Sequence, residues 1–103
     1  MGTNLVVVSY NTSRYVYLFR SNLIRRLLKE GYFDIGGKLP ANTDGGLVGC
    51  GHPLGATGAR QIAEVITQLR EAAGPRQVEG AKIGICHSSG AGPNAVFTIL
   101  KRA

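Results

Sequence analysis

The sequence predicts an α/β fold, a single small domain with helices packed on a short sheet of apolar strands. Three observations lead there. The 103 residues are 44% apolar and 17% charged, the balance of a globular chain and not of a disordered one. Runs of β-branched and aromatic residues stand near both ends, and a helical spacing of apolar residues lies between them. Many of the 15 glycines gather in residues 36–58 and 80–92, where they mark tight turns and close approaches, not a flexible linker. A chain of this length is one domain at most and buries only about two-thirds of its unfolded surface.

Residues 5–10 form a β-prone run, and residues 14–20 alternate Tyr15, Tyr17 and Phe19 with Val16 and Leu18, so Asn11-Thr12-Ser13 between them could turn a hairpin. Ser21 or Asn22 can cap a short helix with Ile24, Leu27 and Leu28 on one side and Arg25, Arg26 and Lys29 on the other, ended by Gly31. Residues 36–58 read as a long loop, which in a small domain is more often functional than idle. Pro53 suits the first turn of a second helix, with His52 as its N-cap and the helix running to about Ala73, where Gly74-Pro75 stops it. Ile62, Val65, Ile66 and Leu69 give this helix its apolar face. Gly55 and Gly58 leave its start almost without bulk, so backbone or ligand is expected to pack closely there. Residues 81–86 and 95–100, apolar on both faces, read as central strands covered on both sides and joined by a glycine-rich turn over residues 88–94.

The net charge is +6 and uneven. Six basic residues stand against two acids up to Lys38, and six against four thereafter. A solvated helix face accounts for this better than an anionic partner does, and neither a nucleic acid nor a membrane is expected. Two cysteines make no disulfide framework, and a cytoplasmic, reducing location is the default expectation. The first 29 residues hold four arginines and no acid, a composition that an organellar transit peptide shares.

His52 stands first among the chemical candidates. At a helix N-terminus among glycines, a neutral imidazole can take a proton from a thiol or hydrogen-bond a developing oxyanion. The plainer alternative is a histidine that only caps its helix. Cys86 and His87 are neighbours on a strand, so only one of them faces a given pocket. Cys86 could act as a nucleophile or acid/base thiol, or be an inert core cysteine. Cys50, Cys86, His52 and His87 could in principle ligate a metal, but Cys-x-His and Cys-His spacings are too tight for a usual zinc site. Neither glycine-rich phosphate-binding spacing occurs in a strand-to-helix context.

Leu39-Pro40-Ala41-Asn42-Thr43-Asp44-Gly45-Gly46, then Gly51-His52-Pro53-Leu54-Gly55-Ala56-Thr57-Gly58, then a helix and a glycine-turned strand pair, resemble the C-terminal part of the thiolases. The wording is closest to the lipid-transfer-associated (sterol-carrier) and acetyl-CoA acetyltransferase branch. The likeness covers residues 36–103 and leaves residues 1–35 as an atypical segment. It implies part of a two-half, five-layered αβαβα fold, in which a cysteine on the other half takes an acyl group from a coenzyme A thioester. By that resemblance His52 activates the cysteine, and the helix after it is buried between two sheets. Cys86 falls where many thiolases keep an acid/base cysteine in Cys-x-Gly, and His87 where the lipid-transfer branch often has a histidine. Ser88 replaces the glycine of that motif. Asn42, Gly51, Gly55, Gly58, Ser88 and Gly90 would line the substrate.

No tightly bound cofactor is implied; acyl-CoA is the substrate, and a complementary thiolase subunit or dimer partner would supply the nucleophilic half. The competing reading is a non-catalytic scaffold, a lipid- or acyl-CoA-binding module, or a thiolase remnant.

Overall fold

A computed structural model of the chain describes residues 5–9, 22–90 and 94–103. Five apolar or small residues, Leu5–Ser9, form strand β1, which runs parallel to β2 (Ile83–Ser89) with Leu5 beside Ile83 and Val7 beside Ile85. Strand β3 (Ala95–Lys101) returns antiparallel to β2, with His87 opposite Phe97 and Cys86 opposite Thr98. The sheet order is β1-β2-β3, so the connection from β1 to β2 is a crossover that carries the helices. The expected hairpin partner over residues 14–20 lies outside the described residues.

Helix α1 (Asn22–Lys29) ends as its sequence suggested. Gly31 takes φ 67°, Tyr32 N–H donates to Leu27 O at 2.9 Å and Gly31 N–H to Leu28 O at 3.1 Å. This is the double hydrogen bond of a glycine-terminated helix, which a side chain at the left-handed position would strain. Ile24 and Leu27 are half-buried, whereas Leu28 is exposed.

The stretch read as loop holds two ordered pieces. Val7 N–H donates to Pro40 O at 3.0 Å and Asn42 N–H to Val7 O at 2.9 Å, so residue 41 lies against β1 as a one-residue parallel extension of the sheet. Pro40 has no N–H to give, which hid this pairing from a strand reading. Then Gly46–Cys50 forms the short helix α2, entered through Gly45 at φ 91°.

Helix α3 (Thr57–Leu69) starts four residues later than expected and stops four residues earlier than Ala73. Pro53 O accepts N–H bonds from Ala56 at 2.8 Å and Thr57 at 2.9 Å, so Pro53 opens a turn that leads into the helix, and Ala56, not His52, is the N-cap. At the other end Arg70 and Glu71 turn the chain away (Glu71 at φ 59°), and a short 3₁₀ turn, Gly74–Arg76, follows.

Val65 and Leu69 on α3 pack with Val6, Val78, Ala81 and Cys86 to form the core, with Ile62 and Leu100 at its margin. Gly84 lets the helix come close: a methyl built there would meet Val65 Cγ1 well under 3.0 Å away. The buried face of α3 differs from the apolar stripe alone. Ile66 is exposed, while Thr57, Gln61, Glu64 and Gln68 are buried. The strands also depart from expectation. On the α3 side Gly84 and Cys86 are buried while Val96 is exposed, and on the opposite face Ile83, Phe97 and Ile99 are 37%, 66% and 67% exposed. Among the described residues β3 stands at the edge of the sheet, beyond the central β2, and its face away from α3 is open. Among the described residues, no helix is long and apolar enough to cross a membrane.

Candidate active site

Polar residues of α3 recur at positions 57, 61, 64 and 68, the spacing of one helical stripe. Between them they reach the His52–Pro53 turn, β2, and the segments around Thr43 and Arg76. Thr57 Oγ1 lies 2.8 Å from His52 Nδ1 and donates to Pro53 O at 3.0 Å. One turn on, Gln61 Nε2 donates to His87 O at 3.3 Å. Residues four apart on a helix have Cβ atoms about 5–6 Å apart. The ring of His52 and the backbone of His87 are thereby gathered at the N-terminal end of α3, from segments 35 residues apart in sequence.

The third member, Glu64, is 6% exposed and accepts hydrogen bonds from three residues. Thr43 Oγ1 donates at 3.0 Å and Gln68 Nε2 at 3.1 Å, while Arg76 approaches through Nε at 3.1 Å and Nη2 at 2.9 Å. These bonds hold the Arg76 guanidinium above its ordinary pKa, the hydrogen bond to Glu64 being the largest cause. Gln68 completes the set: Nε2 donates to Arg76 O at 2.8 Å, and Oε1 accepts from Val78 N–H at 2.8 Å. A buried carboxylate is tolerable only when paired and hydrogen-bonded in this way. Asp44 adds a second tie. Its Oδ1 accepts from Gly46 N–H at 2.9 Å to start α2, and its Oδ2 pairs with Arg60. The chain leading to His52 is therefore tied to α3 through Thr43 and Asp44, just ahead of Gly45.

His52 itself is exposed. Cys86 points the other way along the strand from His87, into the core, where burial pushes its thiol pKa up. His87 is half-buried and stacks on Phe97, ring centroids 4.7 Å apart and planes 25° from parallel. The two lie mid-strand, since β2 continues to Ser89, instead of at its end. Ser88 is half-buried opposite Val96. Gly90 N–H donates to Asn94 O at 3.2 Å across the turn.

Asn42 takes a left-handed φ of 51°, and its side-chain amide lies so near Gly46 that a methyl there would sit 3.2 Å from Asn42 Cγ. Gly51, at φ 75°, ends α2. Gly55 and Gly58 have open space where a Cβ would stand, so the expected close neighbour is not provided by this chain's described residues. Cys50 is exposed and its thiol donates to Asp44 O at 3.2 Å. A cleft of about 410 Å³ is lined by Asp44, Cys50, Arg60, Glu64, Thr67 and Arg76 among others, and none of the catalytic candidates opens into it. Among the described residues, no three His, Cys, Asp or Glu side chains gather as metal ligands would.

The family model for the thiolase C-terminal domain matches residues 20–102, from ahead of α1 to the end of β3. The chain belongs to the thiolases. The match reaches further toward the N-terminus than the motifs beginning at Gly36 did, taking in α1. Relatives with the same segment include an acetyl-CoA acetyltransferase from Methanothermobacter thermautotrophicus, 51% identical over 78 residues (75% of this chain, 20% of that protein). Human sterol carrier protein 2 is 49% identical over 75 residues, 73% of this chain and 14% of its own length. A benzoylsuccinyl-CoA thiolase subunit, BbsB, from Thauera aromatica is 37% identical over 71 residues, 68% of this chain and 18% of its own. The thiolase segment here thus spans a fifth or less of the length of these relatives.

Thr57, Gln61, Glu64 and Gln68 are the residues that sequence reading passed over. Their signal was present as a polar stripe at helical spacing. Apolar periodicity does not reveal it, because these buried side chains are polar ones whose partners lie elsewhere in the chain.

Proposed function

We propose that this thiolase C-terminal region serves acyl transfer between coenzyme A thioesters, with His52 as the base and a nucleophilic cysteine contributed from outside these 103 residues. The observation that carries the reading is the convergence of the His52 ring and the His87 backbone on successive turns of α3, held by Thr57 and Gln61. In this reading the cysteine thiol, brought against His52 by a complementary thiolase chain or segment, gives its proton to the imidazole. The thiolate then attacks the thioester carbonyl, forming the new acyl-sulfur bond as the bond to the coenzyme A sulfur breaks and that sulfur leaves as a thiolate. The imidazolium returns its proton to that leaving group. The second acid/base role falls to Cys86 or His87. Burial keeps the Cys86 thiol protonated near neutral pH, which suits it to donating a proton at the α-carbon more than to attacking a carbonyl. Asn42, Gly51, Gly55, Gly58, Ser88 and Gly90 form the substrate side, and the open space at Gly55 and Gly58 leaves room for close approach of an acyl-CoA or of the complementary half. No tightly bound cofactor is needed.

The second reading, a scaffold or acyl-CoA-binding module without turnover, is favoured by Ser88 at the glycine position of the Cys-x-Gly motif. One assay separates them: thioester exchange by this chain combined with a nucleophile-bearing thiolase N-terminal half. Acyl transfer that falls about 10²–10⁴-fold in His52→Ala supports the base. Unchanged activity in His52→Ala supports the scaffold, and turnover by this chain alone would overturn the need for an outside nucleophile.

A further inference from the structure

The hydrogen-bond directions around Thr57 specify which nitrogen of His52 carries the proton. The Thr57 hydroxyl has one hydrogen, and its oxygen lies 3.0 Å from Pro53 O, a group that can only accept. This is the back-bond from a threonine to the carbonyl four residues earlier, a common arrangement at a helix start. With its proton directed there, Thr57 Oγ1 meets His52 Nδ1 at 2.8 Å through a lone pair. The ring must therefore donate, as Nδ1–H. Reversing the chain of bonds would turn the hydroxyl proton toward the ring and leave two oxygen lone pairs facing each other 3.0 Å apart. Thr57 is 1% exposed, so bulk water does not offer its hydroxyl another partner.

We propose that Thr57 is a positioning residue that fixes His52 as its Nδ1–H tautomer, so that Nε2 carries the basic lone pair. The series Nδ1–H to Oγ1–H to the Pro53 carbonyl gives the imidazole an oriented third member, the part that a carboxylate plays in many nucleophile–histidine sites. When Nε2 takes up a proton, Nδ1–H keeps its acceptor, and the row of dipoles ends on a carbonyl that faces the new positive charge favourably. Gly55 and Gly58 leave the surface beside this relay open, while α3 holds its far side. The use of this tautomer in catalysis rests on the proposed role of His52 as base, but the tautomer itself does not.

The test is ring-nitrogen NMR of the full chain, ¹⁵N-labelled and in alkaline buffer, where the two ring-nitrogen shifts of each imidazole report which nitrogen carries the proton. Loss of one pattern in His52→Gln assigns the ring. In the unsubstituted chain and in Thr57→Ser, the Nδ1–H form is expected to be the majority species of His52. In Thr57→Val the majority passes to Nε2–H, while the His87 pattern stays in place and reports an intact sheet. A majority Nε2–H form in the unsubstituted chain, or an Nδ1–H majority retained in Thr57→Val, would overturn the assignment. If Thr57→Val does not fold, the unsubstituted chain and Thr57→Ser still decide it. In the reconstituted acyl-transfer assay, Thr57→Val should lower kcat about tenfold or more with little change in KM, and Thr57→Ser should restore it. A wrong tautomer with inactive His52→Ala removes the relay and leaves the base. The right tautomer with active His52→Ala removes the base and leaves the relay as local structure.

Discussion

Gly84→Ala tests the packing that brings α3 close enough to hold both histidine segments. A methyl at residue 84 would meet Val65 Cγ1 well under 3.0 Å away, a separation real Cβ atoms do not tolerate. Val65 is fully buried and, as a β-branched residue inside a helix, has one strongly preferred rotamer, so it cannot swing aside. Overpacking of this kind costs about 1–3 kcal/mol. The substitution also restricts the unfolded chain, which returns about 0.4–1 kcal/mol. The net expectation is a loss near 1–2 kcal/mol, or roughly 4–16 °C in Tm for a domain of this size. Val65→Ala alone removes two methyl groups' worth of burial, about 1.6 kcal/mol, plus a cavity term. In the double variant the new methyl occupies part of that cavity. Urea unfolding followed by circular dichroism should therefore give a double variant more stable than the sum of the singles predicts, with a coupling of about 0.5–3 kcal/mol. Additive losses, or a Gly84→Ala chain as stable as the original, would refute the close approach of α3 to β2.

Arg76→Met should cost about 2–3 kcal/mol in the same assay, below the ~3–5 kcal/mol of a fully buried pair because Arg76 is 43% exposed. A loss no larger than ~0.5 kcal/mol would class the Glu64 pair with surface ion pairs. Alkylation of the native chain with iodoacetamide, read by mass spectrometry, should modify exposed Cys50 quickly and buried Cys86 only after unfolding; equal rates would place Cys86 at the surface. Because burial raises the Cys86 pKa in the folded state, its contribution to stability is present below the ordinary value of 9.0 and is lost as pH climbs beyond it. Stability measured from pH 8 upward should thus fall more steeply in the unsubstituted chain than in Cys86→Ala, and parallel curves would contradict the shift.

Local chemistry was legible wherever a segment's own residues dictate its geometry. Gly31 had to end α1, because the left-handed position it fills strains any other residue. The alternation of a strand alone puts Cys86 and His87 on opposite faces, and the structure sends Cys86 inward and His87 against Phe97. The motif around Gly51-His52-Pro53 carries the thiolase likeness in its residues alone. What the sequence could not supply was the outcome of competition between distant groups. Pro53 was eligible for a helix's first turn, yet its carbonyl closes a separate turn and α3 waits until Thr57. Residue 41 looked like loop because its pairing depends on β1, more than thirty residues away. The buried side of α3 was decided by what could satisfy Glu64 and Gln68: Thr43, Arg76 and Val78 provide the partners that make polar burial tolerable, and Ile66 turns outward as a result. A sequence displays each residue's capacity to bond, but only the tertiary structure brings the partner that makes burial of a polar group cheaper than its hydration.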